Sequence, residues 1–304
     1  MDSSRPTPSS APPTAAQKKL SAQRAEAARA RIAASQRRRR LWTVVASLGT
    51  IVVLVLALIV VKVATNAGAP QSGARARAAS QSVATAIGTV PGTAFDAAGA
   101  GSGKALEALT GAPLTADGKP RVLFIGGEFC PYCAAERWPL AVALSRFGIL
   151  HRLGQTSSSP TDVYPSTPTL SFHGTTYTSR YLSFTGEEAQ SNKVAGNTYA
   201  PLDPIDPADQ ALWKQIGGNG YPFLDIGGRW VSLQAAYSPQ LLHGMTQRQV
   251  AGTLSDTGSN VGQTILGAAN QLTAAICTAT RDSPAAVCKS AGVTAATGKL
   301  SNGG

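Results

Sequence analysis

Histidine is scarce in this chain, and His151, His173 and His243 stand too far apart to be given a role. Cysteine is limited to four residues and forms a single C-x-x-C. With no second such pair and no neighbouring His pair, nothing completes a tetrahedral zinc site. Charged residues make up 14% of the chain and are unevenly placed: residues 1–40 hold ten Lys or Arg against Asp2 and Glu26, which is +8 of the total +11. The basic balance therefore describes a tail, not a working domain. That tail has no interleaved aromatics and no nucleic-acid motif, so a nucleic-acid partner is not expected.

A long charge-free run occurs from Leu41 to Val61, and its 21 residues suffice to cross a bilayer at about 1.5 Å per residue. Arg37 to Arg40 abut its start, while only Lys62 follows closely. The positive-inside rule then expects a single-pass cell-membrane protein with its N-terminus in the cytoplasm and the rest extracytoplasmic. A cleaved secretory signal using Ala67-Gly68-Ala69 is the competing reading. The run exceeds a usual signal core, which favours an uncleaved anchor. Residues 62–104, mostly Ala, Gly, Ser and Thr, read as a flexible tether with a short docked helix near Val83 to Ile87. The folded domain is expected over 105–292, with a disordered tail over 293–304.

The most informative stretch is Arg121 to Trp138. Val122 to Ile125 reads as a buried strand, Gly126-Gly127 lets the chain turn, and Cys130-Pro131-Tyr132-Cys133 opens a helix. Proline is tolerated in a first helical turn, where its missing N–H would have had no partner. The free N–H groups and positive dipole end favour a thiolate at Cys130. Cys130 is thus the expected attacking sulfur and Cys133 the resolving one. A half zinc site or a static buried disulfide is the structural alternative. Glu128, Glu136 and Arg137 are candidates for tuning the thiolate, although such residues are more often solvated surface charges.

Beyond the dithiol, the helix continues from Ala134 to Phe147, interrupted by Pro139 and stopped by Gly148. Residues 149–156 suggest the next strand, joined to the first by a right-handed parallel crossover. Thr169 to His173 and Tyr177 to Phe184 suggest an inserted hairpin around Gly174, 187–204 a polar loop, and 206–216 a helix. Phe223 to Leu233 then reads as a hairpin turned by Gly227-Gly228. Tyr221-Pro222 and Thr167-Pro168 are both candidates for a cis proline. Helices are expected over 239–254 and 260–279. Cys277 and Cys288 are expected to form a structural disulfide in an exported domain.

Strand, glycine turn, Cys-Pro-Tyr-Cys and helix together resemble the active-site segment of the thioredoxin superfamily, whose glutaredoxin branch uses the same four residues. That resemblance implies that Pro222 faces the dithiol and helps to dock a peptide. Phe129 departs from the tryptophan usual in thioredoxins. Gly126 to Trp138, with Leu144 to Gly148, Tyr177-Thr178-Ser179 and the segments around Cys277 and Cys288, further resembles a membrane-anchored prokaryotic family catalogued as domain of unknown function 929, over about residues 105–290. It implies a thioredoxin-like fold and makes the four cysteines family features.

The expectation is therefore an α/β protein: a thioredoxin-like fold with an inserted β-hairpin and extra C-terminal helices, preceded by one transmembrane helix. Its expected activity is thiol–disulfide exchange without a cofactor, on cysteines of exported proteins or with an electron donor or acceptor. A catalytically inactive binding or chaperone module, and a soft-metal carrier using the C-x-x-C pair, are the alternatives.

Overall fold

Residues 119–127 alternate in what they face, and this alternation organises the fold. A computed structural model describes residues 77–78, 81–104 and 106–301, all within one unit, Pro70–Gly304. The expected basic tail and apolar run lie outside these residues. Among the described residues no helix is long and apolar enough to cross a membrane. The strands are β1 (Arg77–Ala78), β2 (Glu107–Ala108), β3 (Thr115–Ala116), β4 (Lys119–Gly127), β5 (Ile149–His151), β6 (Gly154–Ser157), β7 (Pro168–Ser171), β8 (Thr176–Thr178), β9 (Ser183–Ala195), β10 (Thr198–Pro201), β11 (Phe223–Ile226) and β12 (Trp230–Ser232). The helices are α1 (Gln81–Gly88), α2 (Gly92–Ala98), α3 (Pro131–Ser145), α4 (Pro207–Gly217), α5 (Gln247–Thr253), α6 (Asn260–Ala279), α7 (Ala285–Cys288) and α8 (Ala291–Ser301).

The central sheet is mixed, in the order β10-β9-β4-β11-β12-β2, with β3 also paired to β4. β4 and β9 are parallel, and the other neighbours are antiparallel. Because side chains alternate across a strand, Val122 and Phe124 of β4 enter the large core under α3 and α6. Leu123 and Ile125 enter a smaller one with Trp213 of α4. Helices thus cover both faces of a sheet whose central strand is buried on both sides.

Three expectations about the middle of the chain are corrected. Residues 149–156 do not supply the parallel partner of β4; Arg152, at φ 57°, separates β5 from β6, and the partner is β9. The inserted hairpin is not formed as expected, since β7 pairs with β6 and β8 with β5 as two nested antiparallel pairings. The polar loop over 187–204 is instead the rest of β9, followed by β10. Its polar residues are tolerated because alternate faces find different partners. Phe184 packs on Phe172 with ring centroids 5.0 Å apart, and Glu188 meets Arg137, while Thr185 on the opposite face accepts from Arg121 Nε at 3.0 Å.

Both ends of the folded domain also extend further than expected. Within the expected tether, α1 is the docked helix expected near Val83 to Ile87, and α2 follows it unexpectedly; Val83, Ile87, Ala94 and Phe95 are buried. Glycine richness here serves close approach: a Cβ on Gly101 would sit 2.8 Å from the Cα of Gly267 on α6. Side chains of α6 complete the docking, with Asn270 donating to Phe95 O and Gly99 O, and Gln271 to Ala100 O. Residues 291–301 of the expected tail form α8, burying Val293, Ala296 and Leu300. Glu107 and Ala108, at the start of the expected folded domain, form β2, paired to β12.

Helix α3 carries Pro139 in its interior. Proline deprives the carbonyl four residues earlier of its helical donor, and Tyr237 Oη donates to that carbonyl, Ala135 O, at 2.8 Å. At the far end of α3, Tyr177 Oη donates to Leu144 O at 2.8 Å and Ser179 Oγ to Phe147 O at 2.7 Å. Tyr237→Phe should therefore cost about 1–3 kcal/mol in urea unfolding, because a buried acceptor loses its donor. In a Pro139→Ala background, where a backbone N–H is restored, the same substitution should cost clearly less. Equal costs in both backgrounds would show that the tyrosine does not compensate for the proline.

Candidate active site

The two glycines ending β4 are there because side chains fill the space beside them. A Cβ on Gly126 would lie 2.6 Å from the Phe124 ring and 3.3 Å from Cys133 Sγ, and one on Gly127 would lie 2.6 Å from the Phe129 ring. The chain then enters α3 with Cys130 as N-cap, at φ −76° and ψ 121°, and Pro131 in the first turn. Cys130 Sγ accepts from the Cys133 backbone N–H at 3.3 Å, satisfying a donor that the helix start leaves open. Both sulfurs are free thiols.

Their environments differ. Both residues are buried, but Cys130 retains 6% exposure whereas Cys133 has none. The Cys130 thiol is lowered from its ordinary pKa, chiefly by the hydrogen bond with the Cys133 side chain, against burial that acts to raise it. The Cys133 backbone N–H and the Arg137 charge also lower it. Burial pushes the Cys133 thiol well up, and the neighbouring Cys130 acts the same way. The two groups are thus driven apart, as an attacking and a resolving thiol require.

Beneath the dithiol lies a buried ion pair. Arg137, one helical turn after Cys133, is fully buried and holds Glu188 of β9 through Nε–Oε1 at 2.8 Å and Nη2–Oε2 at 2.5 Å. The same Nη2 donates to Gly127 O at 2.8 Å, and Phe172 N–H donates to Glu188 Oε1 at 3.1 Å. Burial alone would lower the Arg137 pKa, but the Glu188 charge and hydrogen bonds hold it above its ordinary value. Glu128 accepts from Ser171 Oγ at 2.7 Å, and burial raises its carboxyl.

Of the three tuning candidates, all are buried at 0–1% exposure, which corrects the surface reading. Arg137 acts directly on both sulfurs, and Glu128 acts on Arg137. Glu136 points elsewhere: it accepts from Ala236 N–H at 3.1 Å, and burial raises its carboxyl to about 8.

The approach to Cys130 is aromatic. Phe129 stacks on Tyr199 at 4.1 Å between centroids and meets Tyr221 edge-on at 5.8 Å, while Tyr132 meets Tyr164 at 5.9 Å. The β6–β7 loop reaches back here, with Ser159 N–H donating to Phe129 O at 2.8 Å. Tyr221-Pro222 is a cis peptide bond directly ahead of β11, and Thr167-Pro168 is not cis. β11 pairs with β4 in the register Phe223 to Ile125, which brings Pro222 to the dithiol end of β4. Cys277 and Cys288 are bonded, with S–S 2.00 Å, on α6 and α7. Among the described residues no group of three or more His, Cys, Asp or Glu is placed to hold a metal ion.

Sequence reasoning missed Glu188, Tyr199 and Tyr164. A usable signal for Glu188 was the period-two spacing Phe184, Gly186, Glu188 on one strand face. Nothing local marks the two tyrosines.

Residues 107–199 match the family model described as Domain of unknown function (DUF929). The match spans β2 through the first half of β10. It therefore takes in Cys130 and Cys133 but leaves Pro222, Cys277 and Cys288 outside, a shorter reach than the 105–290 expected. No curated protein and no solved structure matches the chain.

Arg137→Met should destabilise the fold by about 3–5 kcal/mol in urea, since Glu188 would be left charged and buried. Pairing it with Glu188→Leu should recover most of that loss, and no recovery would place the effect in packing alone. A second outcome concerns pH. The folded protein keeps a proton on Glu136 up to about pH 8, whereas an unfolded chain releases it near 4.5. The stability this proton contributes is therefore complete below about 4.5 and lost as pH rises through 8. Comparing Glu136→Gln with the parent across this window, the parent's relative stability should fall by up to about 1.4 kcal/mol per pH unit. A pH-independent difference would contradict the buried-acid assignment.

Proposed function

Taking residues 107–199 as a DUF929 domain, we propose that the protein is a membrane-anchored, extracytoplasmic thiol–disulfide oxidoreductase of thioredoxin-like fold. The observation that carries this reading is the split between two adjacent sulfurs: Cys130 at the helix N-cap, lowered and just solvent-accessible, and Cys133 raised and fully enclosed. The strand order β9-β4-β11-β12, with the dithiol after β4 and Pro222 before β11, supports the thioredoxin-like part. The charge-free run 41–61 behind Arg37 to Arg40 supports the anchor and its orientation.

In the direction that reduces a partner, the Cys130 thiolate attacks one sulfur of the partner's disulfide. A Cys130–partner bond forms as the partner's S–S bond breaks, and the partner's other sulfur leaves as a thiolate and takes up a proton. Cys133 then gives up its proton and attacks Cys130 Sγ. The Cys130–Cys133 bond forms, the mixed disulfide breaks, and the partner's second sulfur leaves. Two electrons pass from the dithiol to the partner, and the reverse sequence oxidises a partner dithiol. Arg137 steadies negative charge on either sulfur. The aromatic rim of Phe129, Tyr199, Tyr221 and Tyr132 offers apolar area around the reacting sulfur, and Pro222 lies where a peptide would dock.

Cys133→Ser, expressed in membranes, should accumulate mixed disulfides through Cys130 that vanish on reduction and in Cys130→Ser. Absence of such adducts under both oxidising and reducing conditions would favour an idle binding module. In the freshly reduced protein Cys130 should be alkylated at neutral pH well before Cys133, and an inert Cys130 would overturn the enzymatic reading.

A further inference from the structure

Seven strand steps separate Pro120 from Gly127, about 23 Å at 3.3 Å per residue, and a cleft lies at that far end of β4, away from the sulfurs. Its volume is about 360 Å³, and its walls include Thr115, Tyr181, Arg229, Thr278, Thr280 and Arg281. By volume it would hold about a dozen waters of the bulk liquid, enough for a small organic molecule.

Its charge is one-sided. Arg229 and Arg281, both solvent-exposed, are the charged residues of its lining, which holds no Asp or Glu. Among the described residues neither arginine side chain has a hydrogen-bond or ion-pair partner, whereas Arg121 and Arg137 are both paired to carboxylates. A third guanidinium, Arg180, lies over the ring of Tyr181 at 5.9 Å.

The backbone at both arginines is also fixed by the fold. Arg229 follows the Gly227-Gly228 turn, where φ is 66° and 67° and a Cβ on Gly228 would strike Ala112 O at 2.5 Å. Arg281 sits in the left-handed region, at φ 54°, in a loop closed by the Cys277–Cys288 bond and by Asp282 N–H donating to Cys277 O at 2.8 Å. Trp230 Nε1 donates to Thr278 Oγ1 at 2.8 Å and ties the two walls together.

We propose that this cleft binds a small molecule through an oxyanion group, carboxylate or phosphate, gripped between Arg229 and Arg281. Planar guanidinium forks match the paired oxygens of such groups, and two exposed arginines on a cleft with no Asp or Glu in its lining have no internal anion to displace. The site does not depend on the dithiol reading.

The test titrates the full-length protein separately with inorganic phosphate and with citrate, at ionic strength held constant with sodium chloride, following melting temperature and tryptophan fluorescence. A saturable response to either anion is expected, weakened at least tenfold in the Arg229→Gln/Arg281→Gln double variant. Unliganded melting of that variant should match the parent, since neither side chain has an internal partner to lose. Arg281→Lys, which keeps the charge but not the fork, should weaken binding by less. Saturation by phosphate assigns a phosphoester-type ligand, and saturation by citrate alone assigns a polycarboxylate. A response no greater than that to sodium chloride, or one unchanged in the double variant, overturns the site.

Discussion

The pairing of Arg137 with Glu188 is the constraint on which the rest of the structure depends. Two full charges taken out of water cost several kcal/mol each unless they are paired, so a shift of α3 along β9 that parted Arg137 from Glu188 would be strongly unfavourable. Their pairing aligns Glu188 beside the end of β4, and Arg137 ties the same end through Gly127 O. One interaction therefore sets the register of the parallel pair, the angle at which α3 leaves the sheet, and the field felt by the sulfurs. A hydrophobic pair of similar volume could give comparable stability, but it would supply no charge beneath Cys130.

How much of this was legible in the sequence follows from where the signals are local. Cys130 to Cys133, with the strand ahead of them, could be read because Val122 to Ile125 are apolar, the glycines mark the turn, and helix formers follow. The hairpin at 223–232 was legible for the same reason, its turn being Gly227-Gly228. β9 was not, because its stability comes from partners distant in sequence: Glu188 looks like a loop residue until Arg137, 51 positions earlier, is placed beside it. The docked helix near Val83 to Ile87 was legible and forms as α1, but residues 89–104 were misjudged because glycine and alanine signal flexibility and close packing equally well. Only the opposing Gly267 and the amides of Asn270 and Gln271 decide between them. The pairing of β5 with β8 and β6 with β7 was missed because short polar strands carry no mark of their partner.

The segments that first suggested a family acquire a physical reason in the fold. Tyr177 donates to Leu144 O near the end of α3 and Ser179 to Phe147 O in the turn that follows, and Gly148 leaves room for this, since a Cβ there would meet Thr178 O at 2.3 Å. These residues finish the helix that the dithiol begins. The DUF929 match ends near residue 199, close to where β9 and its hairpin partner end. It encloses α3, the two central parallel strands and the nested pairings between them.

That nested insertion has one more consequence. The loop between β6 and β7 carries Tyr164 to the edge of Tyr132 and hydrogen-bonds the residue just before Cys130, yet it contributes nothing to the pairing of the central sheet. Scaffold and mouth are thus separable under selection. Under the proposed function, changes in residues 158–167 would alter which molecules are admitted to the sulfur while the sheet and the ion pair stay intact, so what such a framework recognises could diverge without renegotiating how it folds.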